Sequence, residues 1–187
     1  MNLRQQDIAA LLYRIRHPAE SYAHMAELLG MSKSAVFGAS RRLEGAGLLH
    51  TMPDGTQEVA RGSAFEFVAH ALPYALRAEP GRRARGVVTA HHALADLALA
   101  ANAGGTTDAI STDARPIPGE VLVWPSAVGS GLGLALEPLA PGAPTLPHRD
   151  PWLYRLFALV DVLRTGDARE REWARGVLAS ELGVAHE

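Results

Sequence analysis

Apolar residues recur every three to four positions through three stretches at the start of the chain. Ile8, Leu11, Leu12 and Ile15 fall on one face of a helix expected over Leu3 to Arg16, which Pro18 stops. Met25 and Leu29 carry the same period into a second helix, opened by Ser21 and running through Leu29. Ala35, Val36, Ala39 and Leu43 form the buried stripe of a third, which Ser32 opens and which runs to Ala46. Gly30 lies between the second and third helices, where the chain must turn and a positive φ is easiest for glycine. Ala26 sits where two helices nearly touch. The period then changes: Leu48 to Thr51 and Gln57 to Ala60 read as two short strands around Pro53-Asp54-Gly55, a hairpin with turn chemistry. Ser63 and Glu66 fit a capping box that opens a helix over Ala64 to Leu76, with Phe65, Val68, Ala69, Leu72 and Leu76 as its stripe.

Ala26, Gly30 and Val36, with Leu43 and Leu48 beyond them, resemble the winged helix-turn-helix superfamily of bacterial transcription regulators. The resemblance covers the first 62 residues. It implies that the third helix is a recognition helix that enters the major groove, with the hairpin as a wing. On this reading Ser32, Lys33, Ser34, Phe37, Arg41 and Arg42 contact DNA. The hairpin tip carries Asp54 rather than a cation, so Arg61, just after the second strand, is the expected wing-side contact.

The pattern is less regular beyond residue 76. Arg77, Arg82, Arg83 and Arg85 surround Pro80-Gly81 and read as a basic loop, either solvated or reaching DNA backbone or an acidic partner. His91 to Ala103 reads as an Ala-rich helix, followed by a loop from Gly104. Val121 to Trp124 and Leu132 to Leu136 read as strands that pair as a hairpin across Pro125 to Gly131. The tail is a helical hairpin. Asp150-Pro151 opens one helix with Leu153, Leu156, Phe157, Val160 and Leu163 on its apolar face, and Asp167 caps a second with Trp173, Val177 and Leu178. The stretches Asp150-Pro-Trp-Leu-Tyr and Leu159-Val-Asp-Val-Leu-Arg faintly resemble uncharacterised winged-helix proteins that neighbour nucleotidyltransferase-type toxin genes. The expected fold class is α+β, mainly α. Its segments are 1–62 (winged helix), 63–149 (linker helix, basic loop and small sheet) and 150–187 (helical hairpin).

Composition narrows the function. The 187 residues are 48% hydrophobic and carry no cysteine, which excludes disulfides, thiolate metal sites and thiol nucleophiles. No apolar run is long enough to span a membrane and the N-terminus is too polar for a signal peptide, so a cytoplasmic location is expected. The net charge of −2 is low for a nucleic-acid binder, but it is uneven. Residues 61–91 set Arg61, Arg77, Arg82, Arg83 and Arg85 against Glu66 and Glu79 alone. Because phosphate contacts are local, Arg82, Arg83 and Arg85 are counted among the DNA-binding candidates.

Catalysis finds no support in the motifs. Gly129-Ser130-Gly131-Leu132-Gly133 looks like a phosphate loop, but a strand follows it where a helix N-terminus is needed, so a flexible hairpin loop is the better reading. His92 and Asp96 share a helical face, but two ligands do not make a metal site, and adjacent His91 points elsewhere. Ser63, Ser126 and Ser130 lack a nucleophile motif. No enzyme, metal or cofactor is expected. The sequence thus points to a sequence-specific, DNA-binding regulator acting as a homodimeric repressor. Two alternatives stay open: an antitoxin-like protein that binds a toxin through its C-terminal half, and a winged helix used only for protein interaction. Symmetric pairing is expected through the tail, where Trp152, Leu156, Phe157, Leu163 and Trp173 exceed what a two-helix hairpin can hide, unless they pack inward.

Overall fold

The computed structural model describes residues 3–95 and 120–185. The architecture is α+β and mainly helical, with a two-stranded sheet near the N-terminus, a three-stranded barrel in the middle and a pair of helices at the C-terminus. The helix expected over 91–103 is described only as far as residue 95, and the loop expected from Gly104 lies outside the described residues.

The first three helices are α1 (Gln5–Arg16), α2 (Tyr22–Leu29) and α3 (Lys33–Gly45). Ser21 Oγ accepts from the His24 N–H at 3.2 Å, and Ser32 Oγ from the Ala35 N–H at 3.1 Å, so both expected caps form. Gly30 ends α2 in the left-handed region at φ 64°. Strands β1 (Leu49–Thr51) and β2 (Gln57–Val59) pair antiparallel, Leu49 opposite Val59 and Thr51 opposite Gln57.

The helix expected to begin at Ala64 begins earlier. α4 spans Arg61–Glu66, and its N-cap is Ala60. The Ala60 N–H still bonds the Leu48 carbonyl while its own carbonyl already accepts from Ala64. The chain therefore passes from strand to helix without a loop, and Ser63 is left inside the first turn rather than capping it. The helix then widens into a π-turn over Phe67–Ala71 before α5 (Leu72–Ala75). Pro73 explains this. Its ring crowds the carbonyl four residues back and it offers no N–H. The Leu72 N–H reaches back to Phe67 instead, and the orphaned Ala69 carbonyl accepts from Arg175 Nε at 3.1 Å.

The middle segment departs most from expectation. Arg83–Thr89 is not a basic loop but a strand, β3. β4 (Leu122–Pro125) and β5 (Gly131–Ala135) lie near the expected positions, yet they do not form a hairpin. Each pairs antiparallel with β3, β5 along Arg83–Gly86 and β4 along Gly86–Thr89, and they meet each other in parallel at Leu122–Leu134 and Val123–Ala135. Three strands close into a barrel only if they cross almost in contact. A Cβ on Gly86 would overlap the Trp124 carbonyl, and one on Gly133 the Val121 carbonyl. The glycine-rich run is a closure device, not a flexible loop. Residues 90–95 then start a further helix, α6.

A short helix α7 (Leu146–Arg149) leads to α8 (Pro151–Thr165) and α9 (Ala168–Leu182). Asp150 caps α8 by accepting from Leu153, and Asp167 caps α9 by accepting from Glu170, both as expected; the Glu170 side chain reaches back to the Asp167 N–H and completes a capping box. α8 is the centre of the protein. Leu156, Phe157 and Leu163 are fully buried, because α8 is packed on by α1, α5, α7, α9 and β3. Of the residues assigned to dimerisation, Leu156, Phe157 and Leu163 are therefore consumed within the chain, while Trp152 is half-buried. α9 buries Ala174, Leu178, Ala179 and Leu182, while Trp173 stays exposed against His91, their ring centroids 5.4 Å apart. One continuous core runs from Ile8 to Leu182.

Inside α8 sits a polar cluster. The Asp161 carboxylate accepts from Thr89 Oγ1 at 2.8 Å, Trp124 Nε1 at 2.7 Å and Arg164 Nη1 at 2.8 Å. Arg164, also buried, donates onward to the carbonyls of Leu76 and Glu137. Burial pushes the Asp161 carboxyl above its usual range, and Arg164, Thr89 and Trp124 oppose that shift. Breaking a buried pair from one side leaves an uncompensated charge. Asp161→Asn should therefore lower stability by about 3–5 kcal/mol in urea unfolding. A loss under about 1 kcal/mol, the value of an exposed pair, would mean that Arg164 finds solvent.

Candidate nucleic-acid interface

α3 divides its faces cleanly. Val36, Ala39, Ser40 and Leu43 are buried. At 100° per residue, Lys33, Phe37, Arg41 and Ser34 span an arc of about 100° that borders the buried stripe at Lys33 and turns away from it towards Ser34. All four are exposed, Phe37 at 54%. Ser32 Oγ also lies 3.0 Å from Ser34 Oγ, so the N-terminal turn presents two ordered hydroxyls beside Lys33.

An open depression of about 490 Å³ lies between the start of α2, the exposed face of α3 and strand β1. Tyr22, Phe37, Arg41, Glu44, Leu49, His50 and Thr51 line it. The Tyr22 and Phe37 rings meet edge to face with centroids 5.9 Å apart, and the Arg14 guanidinium lies 5.4 Å from the Tyr22 ring. These contacts hold Phe37 in place without burying it. On the other wall Glu44 accepts from Arg41 Nη1 at 3.1 Å, from Thr51 Oγ1 and from Gln57 Nε2 at 3.5 Å. Gln57 is itself buried and bonds Ser40 Oγ and Thr51 Oγ1. A polar network thus joins α3 to both strands of the hairpin.

The other expected contacts are placed differently. Arg42 lies on the flank of α3 and turns inward, with Nε and Nη2 donating to the two oxygens of Asp7 at 2.8 and 2.7 Å. Asp7 is fully buried in α1, so this fork locks α3 against α1. Its bond to Asp7 raises the Arg42 pKa further. Arg61 donates to the carbonyls of Leu182 and Ile15, at the C-terminal ends of α9 and α1. In the barrel, Arg83 pairs with Glu120 at 2.6 Å and Arg85 Nε donates to the Gly129 carbonyl at 2.7 Å, while Arg82 is exposed just before β3. At the hairpin tip, hydrogen bonds from the Thr56 hydroxyl and N–H hold the Asp54 carboxyl below its usual range, so the tip stays anionic.

Behind the depression, Tyr13 is buried and its hydroxyl lies 2.6 Å from His24 Nδ1. Burial, aided by Glu20, pushes this phenol up to about 12. His17 stacks beside Tyr13 and its Nε2 lies 2.9 Å from Asp150 Oδ2, the cap of α8. No group of three or more metal-ligating side chains occurs among the described residues; Asp96, weighed with His92, lies outside them.

The chain matches no protein-family model, no curated protein and no solved structure. The site therefore stands on its geometry alone.

Five lining residues, Tyr22, Glu44, Leu49, His50 and Thr51, were not among the candidates from sequence. Glu44 had a signal: it follows Arg41 by three positions, the spacing of neighbours on a helix. Tyr22 and Thr51 had none, because only the docking of α2 and β1 on α3 brings them to this face.

Two expectations follow. Arg42→Ala strands a buried carboxylate and should cost about 3 kcal/mol, whereas Arg41→Ala breaks only an exposed pair and should stay within about 0.5 kcal/mol; thermal or urea unfolding separates them. The second concerns alkaline pH. The Tyr13 phenol ionises at higher pH folded than unfolded, so its contribution is complete below pH 10 and is lost as pH rises towards 12. Stability should fall across that window, by about 1–2 kcal/mol more than in Tyr13→Phe. Equal losses in the two proteins would exclude Tyr13 as the cause.

Proposed function

We propose that this chain is a sequence-specific DNA-binding transcription regulator in which α1 to α3 and the β1–β2 hairpin act as a winged helix-turn-helix. One observation carries the reading: Lys33, Ser34, Phe37 and Arg41 stand together on the solvent face of a capped helix, beside a hairpin tied to that helix by Glu44. The row has the mixture that base edges require, with cationic and hydroxyl donors and an aromatic edge for a thymine methyl. The order of elements and the left-handed Gly30 turn agree with it. Arg42 and Arg61 support the interface by fixing helices, and Arg82, Arg83 and Arg85 are backbone contacts at most. Pairing into a homodimer belongs to the same reading, through a surface other than the apolar face of α8.

Anisotropy titrations of the full chain on its own promoter, across salt concentrations, provide the test. Arg41→Ala should weaken binding about tenfold, and Lys33→Ala with Arg41→Ala more. Removing Arg82 should lower the salt slope by about one if it meets a phosphate. An unchanged affinity in the Lys33 and Arg41 double variant excludes the reading. Light scattering reports whether the protein is paired.

A second reading has one observation in its favour. Val128 and Leu132 stand about three-quarters exposed on the barrel, next to Arg85, which suits a protein partner for the second half, as an antitoxin-like role requires. Pull-down with the product of the neighbouring gene, repeated with Leu132→Asp, tests it. Loss of capture in that variant supports the reading, and equal capture excludes this surface.

A further inference from the structure

We infer that Glu44 is a positioning residue for base reading: by holding one edge of the Arg41 guanidinium it aims the other at a base edge, and so selects a guanine at one position of the bound site. The inference rests on the DNA-binding reading above. An exposed pair three residues apart on a helix is by itself weak and mobile. This one is different, because its acceptor is fixed. The Arg41 side chain is 69% exposed while that of Glu44 is 21% exposed. The Glu44 carboxylate is held on its far side by Thr51 Oγ1 of β1 and by Gln57 Nε2 of β2. The hairpin thus clamps the carboxylate, and the carboxylate clamps the arginine.

Two consequences follow from the chemistry of the guanidinium. It is planar and carries five N–H donors in a rigid fork. With Nη1 spent on Glu44, the Nε and Nη2 edge remains, and two parallel donors match the O6 and N7 acceptors of guanine in the major groove. The second consequence is electrostatic. An arginine with a bound carboxylate has almost no net charge to offer a phosphate, and Glu44 repels one. The paired arginine therefore loses its preference for the backbone and keeps its preference for a dipolar base edge. A negative charge in a DNA-facing depression, which otherwise looks like a defect, becomes the means of discrimination.

The experiment uses the full chain and duplexes selected for binding from a randomised pool. Each selected duplex is then compared with one carrying A·T in place of each G·C pair. Wild type should discriminate about tenfold or more at one position, and Arg41→Ala should abolish this. Glu44→Gln keeps the shape and an oxygen acceptor for Thr51 but removes the charge. It should reduce discrimination at that position to within about threefold, while binding to unrelated DNA tightens and its salt slope steepens by about one. Thr51→Val loosens the clamp without changing any charge, and should lose discrimination with no change in salt slope. A purely structural brace would shift overall affinity or melting and leave the ratio intact. If Glu44→Gln tightens binding to all duplexes equally with the ratio unchanged, the inference is wrong and the DNA-binding reading stands. If Glu44→Gln does not fold, an unchanged ratio in Thr51→Val is decisive in the same way. A wild-type protein that selects no duplex overturns both.

Discussion

A charged pair buried in the C-terminal turns of α8 sets the terms for the rest of this fold. Neither Asp161 nor Arg164 reaches solvent, so each must find its partners within the protein. Those partners come from distant segments: Thr89 and Trp124 from the barrel, and the backbone after α5 and after β5 from the connections on either side of it. The ion pair is therefore costly in any partly assembled state and tolerable only when all of these are in place. Apolar packing around α8 supplies the stability, and the polar cluster decides which arrangement of the segments is acceptable. The Trp124 ring lies edge on to Tyr154 and Phe157, so the side chain that bonds Asp161 also belongs to the apolar core.

The same logic of committed and uncommitted charge runs through α3. Arg41 and Arg42 are adjacent in sequence and chemically identical, yet a rotation of 100° assigns them opposite tasks. Arg42 meets a buried carboxylate and becomes part of the scaffold. Arg41 meets a carboxylate that the hairpin restrains at the rim of an open depression, and so remains available. Gly38 helps: a Cβ there would come within 3.2 Å of Arg42 Nη1, so the missing side chain gives the guanidinium room to turn towards Asp7.

What the sequence made legible is what local chemistry decides. The caps at Ser21, Ser32, Asp150 and Asp167, the turn at Gly30 and the hairpin around Pro53-Asp54-Gly55 depend on residues within four positions of one another, and all form. The barrel depends on pairings between β3 and strands more than thirty positions away. RARGVVT alternates too poorly to announce a strand, and its glycine has meaning only against the Trp124 carbonyl. Trp173, counted among the apolar residues that a two-helix hairpin cannot hide, does stay exposed, because α9 packs through alanines and leucines. At the candidate site, the exposed row on α3 was readable from helical period alone, whereas the inward turn of Arg42 required the position of Asp7, thirty-five residues earlier.

The turn between α2 and α3 carries a further implication. The Gly142 N–H donates to the Leu29 carbonyl at 2.8 Å, and Gly30 and Gly142 face each other so closely that a Cβ on either would strike backbone of the other segment. A carbonyl at the end of α2 is thus satisfied not by its own neighbourhood but by a residue more than a hundred positions later. The first 62 residues are consequently not a portable cassette. Recombination that joined them to an unrelated partner would leave that helix end unmet and the apolar side of α1 uncovered. Inheritance of this head should therefore track inheritance of this body, and the two halves should diverge together rather than be shuffled.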